Sequence, residues 1–529
     1  MRNISRRGFI ATSGAALGAL PLIRSIDALS QIVNPVFRHG VASGDPLSDR
    51  VILWTRVTPK TGTGSQTVNW IVATDPKLAQ VVARGETQTG AARDFTVKLD
   101  ATGLKPATAY YYRFESQGER SAIGRTRTLP VSGVSRIRLG VVSCSNYPFG
   151  FFNAYACLAN RADLDAVLHL GDYLYEYANG EYGDGTRLGR AAPNKEMVSL
   201  QEYRERHAQY KADPDSQEVH RQHPFIVTWD DHEFANNTWM RGAQNHDASE
   251  GEWTARRAAA VQAYFEWMPI REDAQTLQSR IYRTFRFGNM ATLYMLDTRL
   301  IGRDQEAPRD DVASIERANR QLLGAEQEGW LAEQFVTSVK GQSHWNVFGQ
   351  QVIFAPQTPA GTGAVNPDVW DGYRSARTRV FDMMDRARLD NLAVLTGDIH
   401  SSWAYDLPRD PFAGYDRATG KGSRGVEFAG TSVTSPTNLG RGPEGPKQLA
   451  DIRAARPHLH YVDGSYRGYF ILDLAREKLQ ADFYGVATVD ERATTEAFVK
   501  GFITESGRNH LMEASTAAAP AAAPEPAPR

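Results

Sequence analysis

The chain has 529 residues, 41% hydrophobic and 23% charged, with 60 Lys+Arg against 61 Asp+Glu. That length allows a large buried core and predicts more than one domain. The balanced charge, without a basic block or aromatic-basic stripe, argues against specific nucleic-acid binding and leaves a small phosphorylated substrate open. Only two cysteines, Cys144 and Cys157, are present, so the fold is not held by a disulfide framework.

The chain opens with Ser5-Arg6-Arg7-Gly8-Phe9-Ile10 and a Gly/Ala-rich, modestly apolar run from Ala11 to Ile23, short for a membrane span. This resembles a twin-arginine export signal, with Ala28-Leu29-Ser30 offering small residues for cleavage before Gln31. Residues 1–30 are therefore expected to be a signal peptide, an amphipathic or uncleaved anchor helix being the alternative. The mature protein is then periplasmic or secreted, with the twin-arginine machinery as a partner and no stable membrane span.

Residues 31–130 predict a small fibronectin-like β-sandwich. Val51 to Val57 alternates, Val68 to Ala73 and Phe95 to Leu99 follow, and Leu104 to Phe114 has the form of a corner at which a tyrosine hydroxyl ties back to the loop. After a linker at Pro130 to Ser135, residues 136–490 alternate apolar strands with helices. The strands are Asp165 to Leu170, Phe225 to Trp229, Met290 to Leu296, Trp345 to Phe348 and Leu392 to Thr396; the helices include Gly251 to Trp267, Glu326 to Thr337 and Ser375 to Arg386. The fold class is α/β, a layered domain. Residues 491–514 read as a helical segment and 515–529 as a disordered Ala/Pro-rich tail.

Four polar islands follow buried strands, where open α/β sheets bind ligands. In Val141-Val142-Ser143-Cys144-Ser145-Asn146, Cys144 is either a thiolate ligand or a buried structural cysteine. Asp172, in Gly171-Asp172-Tyr173-Leu174-Tyr175-Glu176-Tyr177, can bridge two cations. Tyr175 would face the same site if the chain turned helical there, and a phenolate suits ferric iron; aromatic packing is the other reading for the three tyrosines. The run Asp230-Asp231-His232-Glu233-Phe234-Ala235-Asn236-Asn237 places like charges side by side, which calls for a cation. Asp231 is its expected ligand, and His232 either protonates the leaving group or holds the phosphate. Asp398 and His400, two residues apart in Gly397-Asp398-Ile399-His400, would point to one side of an extended segment and ligate adjacent ions.

The series Gly-Asp-x-x-Tyr, Asp-Asp-His-Glu and Gly-Asp-x-His resembles the calcineurin-like metallophosphoesterases. Its departures, with Cys144 at the first motif, Asp231 in place of an asparagine and Asp398 in place of a histidine, resemble the alkaline phosphatase D (PhoD) family, as do Tyr210-Lys211-Ala212-Asp213-Pro214, the leader and the amino-terminal β-domain. The resemblance implies a layered αββα-type catalytic domain and an exported phosphatase active at alkaline pH. It would hydrolyse phosphate monoesters or diesters by attack of a metal-held hydroxide. It also implies Fe3+ held by Cys144, Asp172, Tyr175 and His400, with one or two Ca2+ held by Asp172, Asp231 and Asp398, Asn236 or Asn237 joining them. His232 and Asp231 are the expected catalytic residues, and an arginine from Tyr203 to Arg206 is expected to steer phosphate. The alternatives are a phospholipase D-like phosphodiesterase on the same fold and a catalytically silent cell-surface binding protein.

Overall fold

Apolar runs Arg136–Val142, Ala166–His169 and Pro224–Val227 pair side by side in parallel, so their carboxyl ends reach one edge together. The computed structural model describes residues 34–272, 280–363 and 365–528; the expected signal peptide, residues 1–30, lies outside them. The three strands belong to a ten-stranded sheet in the order Met512–Ala514, Glu496–Glu505, Lys478–Val486, Gly468–Ala475, Arg136–Val142, Ala166–His169, Pro224–Val227, Val41–Gly44, Arg50–Arg56, Thr96–Thr102. A seven-stranded sheet runs Arg283–Phe287, Ala291–Met295, Trp345–Gln350, Leu392–Thr396, Ser423–Ala429, Ser402–Pro408, Leu459–Asp463.

Strand alternation decides the packing. Val141, Leu168 and Ile226 share one apolar cluster with Leu293, Val347 and Leu395 of the seven-stranded sheet. Their neighbours Val142, Val167 and Phe225 point the other way, into a cluster with Leu158, Tyr203 and Tyr264 of the helices Asn153–Ala159, Leu200–Lys211 and Trp253–Trp267. Tyr294, Phe348 and Val394 likewise leave the inter-sheet core for one with Phe335 and Val380 of the helices Gly324–Lys340 and Arg374–Ala387. Burial on both faces is why these strands read as continuous apolar runs.

The amino-terminal region forms two facing sheets, but it is not separate. Val68, Tyr110, Tyr112 and Phe114 of a five-stranded sheet pack on Val41, Val51, Leu53 and Val97, and the Tyr110 hydroxyl accepts the Lys105 amide at 2.8 Å. Val41–Gly44 pairs in parallel with Pro224–Val227, so one face of the sandwich is the continuation of the ten-stranded sheet. A side chain at Gly44 would come within 2.3 Å of the Pro269 carbonyl oxygen, which is why glycine stands where the two regions meet. The expected boundary near residue 130 is thus a change of sequence pattern and no break in the sheet.

The carboxy-terminal expectations are corrected. Residues 491–514 contain the strands Glu496–Glu505 and Met512–Ala514 where a helix was expected. Phe498, Val499, Phe502, Ile503 and Thr504 favour a pleated surface, and Gly501 disfavours a helix interior. The Ala/Pro-rich tail is laid along the molecule up to residue 528. Arg136 donates to the Ala519 carbonyl, Arg125 to that of Pro524 at 3.3 Å, Tyr111 to that of Glu525, and Arg221 to those of Ala527 and Pro528 at 3.2 and 2.7 Å. Composition signals no packing face because the tail is held by its backbone. Both cysteines are buried as free thiols, and among the described residues no helix is long and apolar enough to cross a membrane.

Arg221→Met removes the donor shared by the carbonyls of Ile123, Ala527 and Pro528 and is expected to cost about 1–3 kcal/mol in chemical denaturation. A variant as stable as the parent contradicts the tail's anchoring.

Candidate metal centre

Cys144, Asp172 and Asp398 all have left-handed backbone, with φ of 61, 53 and 61°, and so does His400 at 54°. Such conformations cost roughly 1–3 kcal/mol each in residues with side chains and persist only where their surroundings enforce them. Here the loops brace one another. The Cys144 amide donates to the Gly171 carbonyl at 3.2 Å and that of Ser145 to the Asp172 carbonyl at 2.9 Å, while the Cys144 carbonyl accepts the amides of Thr434 and Ser435 at 3.3 Å. Glu233 joins two strand ends: its Oε2 accepts the Asp172 amide at 3.0 Å and the Asp230 amide at 2.7 Å. Gly171, at φ +102°, lies so close to the Asp230 loop that an added Cβ would stand 2.4 Å from Asp230 Cβ.

Two donor sets meet at Asp172. Ligand atoms of Cys144, Asp172 and His400 lie within 4.8 Å of one another. Tyr175 donates through its hydroxyl to Asp172 Oδ2 at 3.0 Å and stands 3.1 Å from His400 Nε2; Ser435 in turn donates to Tyr175 at 2.7 Å. Tyr175 arrives in a loop, so it meets Asp172 without the helical turn that was the condition for it. His400 Nδ1 lies 3.0 Å from the Pro436 carbonyl. A proton on Nδ1 satisfies that oxygen and leaves the Nε2 lone pair toward Asp172, the usual way a ligating histidine is oriented. Asp172 also groups with Asp231 and His232 within the same limit. Its Oδ1 is buried with no hydrogen-bond partner among the described residues.

The third set is Asp230, Asp231 and Asp398. Asp398 and His400 are not on an extended segment: the Ile399 amide turns back to the Gly397 carbonyl at 2.7 Å. That tight turn sends His400 to the Asp172 set and Asp398 to the carboxylates. Among these stands a residue that sequence reading missed, the buried Arg299. It donates to Asp230 Oδ1 at 2.5 Å, to Asp368 Oδ1 at 2.6 Å and to Asp398 Oδ1 at 3.2 Å, with Asp231 Oδ1 at 3.7 Å. Nothing local marks Arg299, since only the packing of the two sheets brings it there. The side-chain amide of Asn236 donates to Gln244 at 2.7 Å. Asn237 instead gives its backbone amide to Asp231 Oδ2 at 2.6 Å. The arginines expected to steer phosphate are engaged elsewhere, Arg204 with Glu266 at 2.7 Å and Arg206 with the carbonyls of Tyr175 and Tyr177.

The protein alone neutralises this site poorly. Burial pushes Asp398 and Asp230 well above the usual carboxylate range, against the pull of Arg299. Burial and the Asp172 carboxylate push the Cys144 thiol and the Tyr175 phenol up, so neither ionises without a nearby cation. Burial works against charge on His232, yet the carboxylates of Asp231, Glu176 and Asp172 raise it well above its ordinary value. Its Nδ1 lies 2.7 Å from Glu176 Oε2, and its ring packs 4.2 Å from that of Tyr175 and stacks at 6.3 Å on Tyr182. A thiol, a phenol, an imidazole and converging carboxylates, two of which (Asp172 and Asp230) have a buried oxygen without a hydrogen-bond partner among the described residues, form a donor set that fits two cations of different character.

Gly171→Ala strains the backbone and collides with the Asp230 loop. It should lower stability by about 1–3 kcal/mol and reduce the metal retained after gel filtration, as read by thermal melting and elemental analysis; parental values in both contradict the close approach.

Residues 139–483 match the PhoD-like phosphatase family, and residues 25–130 match the PhoD-like phosphatase N-terminal domain. Alkaline phosphatase D of Bacillus subtilis (strain 168) is 36% identical, the match covering 97% of this chain and 89% of that one. A solved structure of PhoD superposes with a TM-score of 0.83 at 34% identity, covering 92% of this chain and 93% of the other. With two matched regions that together span most of its length, the chain belongs to the PhoD-like phosphatases and is a hydrolase of phosphoric esters.

Proposed function

We propose that the protein is an exported, metal-dependent alkaline phosphatase of αββα metallophosphoesterase type, acting on phosphate monoesters and also on diesters. The observation that carries this reading is Asp172, whose Oδ2 faces Tyr175 and His400 while its Oδ1 stays buried without a partner among the described residues. The alternation of inter-sheet core and two helix-covered faces supports the layered architecture. The paired arginines Arg6-Arg7 support export by the twin-arginine route to the periplasm or beyond.

Cys144, Asp172, Tyr175 and His400 would hold Fe3+, for which thiolate, phenolate and imidazole are fitting donors. Asp172, Asp231 and Asp398 would hold Ca2+, which prefers carboxylate oxygens. When bound, the cations supply Lewis-acid charge for the phosphoryl oxygens and lower the pKa of water. The protein's own residues do the rest. Glu233 fixes the loop of Asp172 against that of Asp230. Arg299 holds Asp230 and Asp398 in place and adds fixed positive charge beside these carboxylates. His232, clamped at Nδ1 by Glu176 and flanked by Tyr175 and Tyr182, keeps its Nε2 proton available for the leaving oxygen.

Hydrolysis of phenyl phosphate and of bis-phenyl phosphate by purified, metal-loaded protein tests the substrate class: both should turn over, and failure with both at alkaline pH sinks the reading. The role of His232 is tested separately. His232→Gln should slow alkyl phosphates, which need a proton on the leaving oxygen, by about 10²–10⁴, and slow nitrophenyl phosphate far less, with metal content unchanged. Equal losses on both substrates would remove His232 from proton transfer.

A further inference from the structure

Outside the catalytic edge, one other group of side chains among the described residues has metal-ligand character. Asp406 lies in the strand Ser402–Pro408, His460 in the neighbouring strand Leu459–Asp463, and His510 in the turn before Met512–Ala514. Their donor atoms lie within 4.8 Å of one another. Asp406 is four residues into its strand, so the group stands roughly 13 Å along the sheet from Ser402, at 3.3 Å per residue, and apart from the centre described above. We propose that Asp406, His460 and His510 form a second, structural site for a zinc-class divalent cation.

The Asp406–His460 distance fits such an ion, and the Asp406–His510 distance is that of a hydrogen bond. Tetrahedral zinc at about 2.0–2.2 Å from its ligands sets neighbouring donors about 3.4 Å apart, and His460 Nε2 lies 3.4 Å from Asp406 Oδ1. That nitrogen is buried and makes no hydrogen bond among the described residues. His510 Nδ1 is 2.6 Å from Asp406 Oδ2, so ligation by both atoms draws the His510 ring back by about 0.8 Å and frees Nδ1 of any proton, which passes to solvent. Two imidazoles and one carboxylate are the donors zinc selects over calcium or magnesium.

The surroundings hold the ligands as a metal site's outer contacts do. Tyr415 donates to Asp406 Oδ2 at 2.8 Å and the Leu511 amide to Oδ1 at 2.9 Å. The His510 amide is fixed by Thr504 Oγ1 at 3.2 Å. Gly420, at φ +70°, closes over His510, where an added Cβ would stand 2.4 Å from His510 Cβ. Asp406 is fully buried, yet the His460 and His510 side chains keep 12% and 18% exposure, so an ion can enter from solvent. Occupied, the site ties the outer strands of the seven-stranded sheet to the carboxy-terminal strands of the ten-stranded sheet.

The test uses the full, metal-loaded enzyme incubated with zinc chloride and gel-filtered. The parent should carry one more zinc per chain than His460→Gln/His510→Gln, while both hydrolyse nitrophenyl phosphate at similar rates. Added zinc should raise the Tm of the parent by several degrees and leave that of the single variant His510→Gln unmoved; this single change in a partly exposed turn serves if the double variant does not fold. Added cobalt should give the parent a visible ligand-field band that His510→Gln lacks. Equal zinc content together with an equal Tm response in parent and variants overturns the proposal and leaves an Asp-His hydrogen-bond cluster.

Discussion

The structure depends on bringing several carboxylates together out of water. Asp172, Asp230, Asp231 and Asp398 are drawn to one edge by parallel strands that end side by side. Like charges in a low-dielectric interior are unfavourable by several kcal/mol unless compensated. Arg299 compensates part of that charge, and Asp172 Oδ1 and Asp230 Oδ2, without hydrogen-bond partners among the described residues, mark what remains. Cations of the kind a phosphatase uses would meet that remainder, so the crowding of charge that the protein alone leaves uncompensated is what would draw them in.

The rest of the fold reads as support for this edge. The inter-sheet core fixes the strand ends in space, and left-handed turns at Cys144, Asp172, Asp398 and His400 aim the side chains inward. Gln351 links the two sheets at the site: its side chain donates to Thr228 Oγ1 and the Trp229 and Leu296 carbonyls at 3.0, 2.7 and 3.0 Å, and its own carbonyl accepts the Gly397 amide at 2.9 Å. The amino-terminal strands extend the same sheet, and the tail closes around both regions through buried arginines. Disturbance far from the metals can therefore reach them through continuous hydrogen-bonded structure.

Much of this was legible from residues alone where the signal is local. The strands Leu392–Thr396 and Ala166–His169, buried on both faces, announce themselves as apolar runs. The polar islands at their ends follow from the rule that ligands sit at carboxyl ends of parallel strands. What escaped was non-local. Arg299 becomes meaningful only when two sheets meet, the strand Val41–Gly44 pairs with a partner 181 residues on, and the Ala/Pro-rich tail is held by carbonyls that any sequence possesses. Local geometry differed from two expectations: Tyr175 meets Asp172 without the helical turn set as its condition, and Asp398 and His400 diverge through a tight turn where an extended segment was expected. The side-chain amide of Asn236 is engaged with Gln244, a contact that the local sequence does not announce.

The central claim is that two chemically unlike cations share Asp172, one on the side of Cys144 and the other on the side of Asp231 and Asp398. The direct measurement is elemental analysis of protein folded and exported in its own host, beside its Cys144→Ser variant. The account predicts iron and calcium in the parent and a selective loss of iron in Cys144→Ser. A single kind of metal in the parent, or iron undiminished in Cys144→Ser, would contradict it.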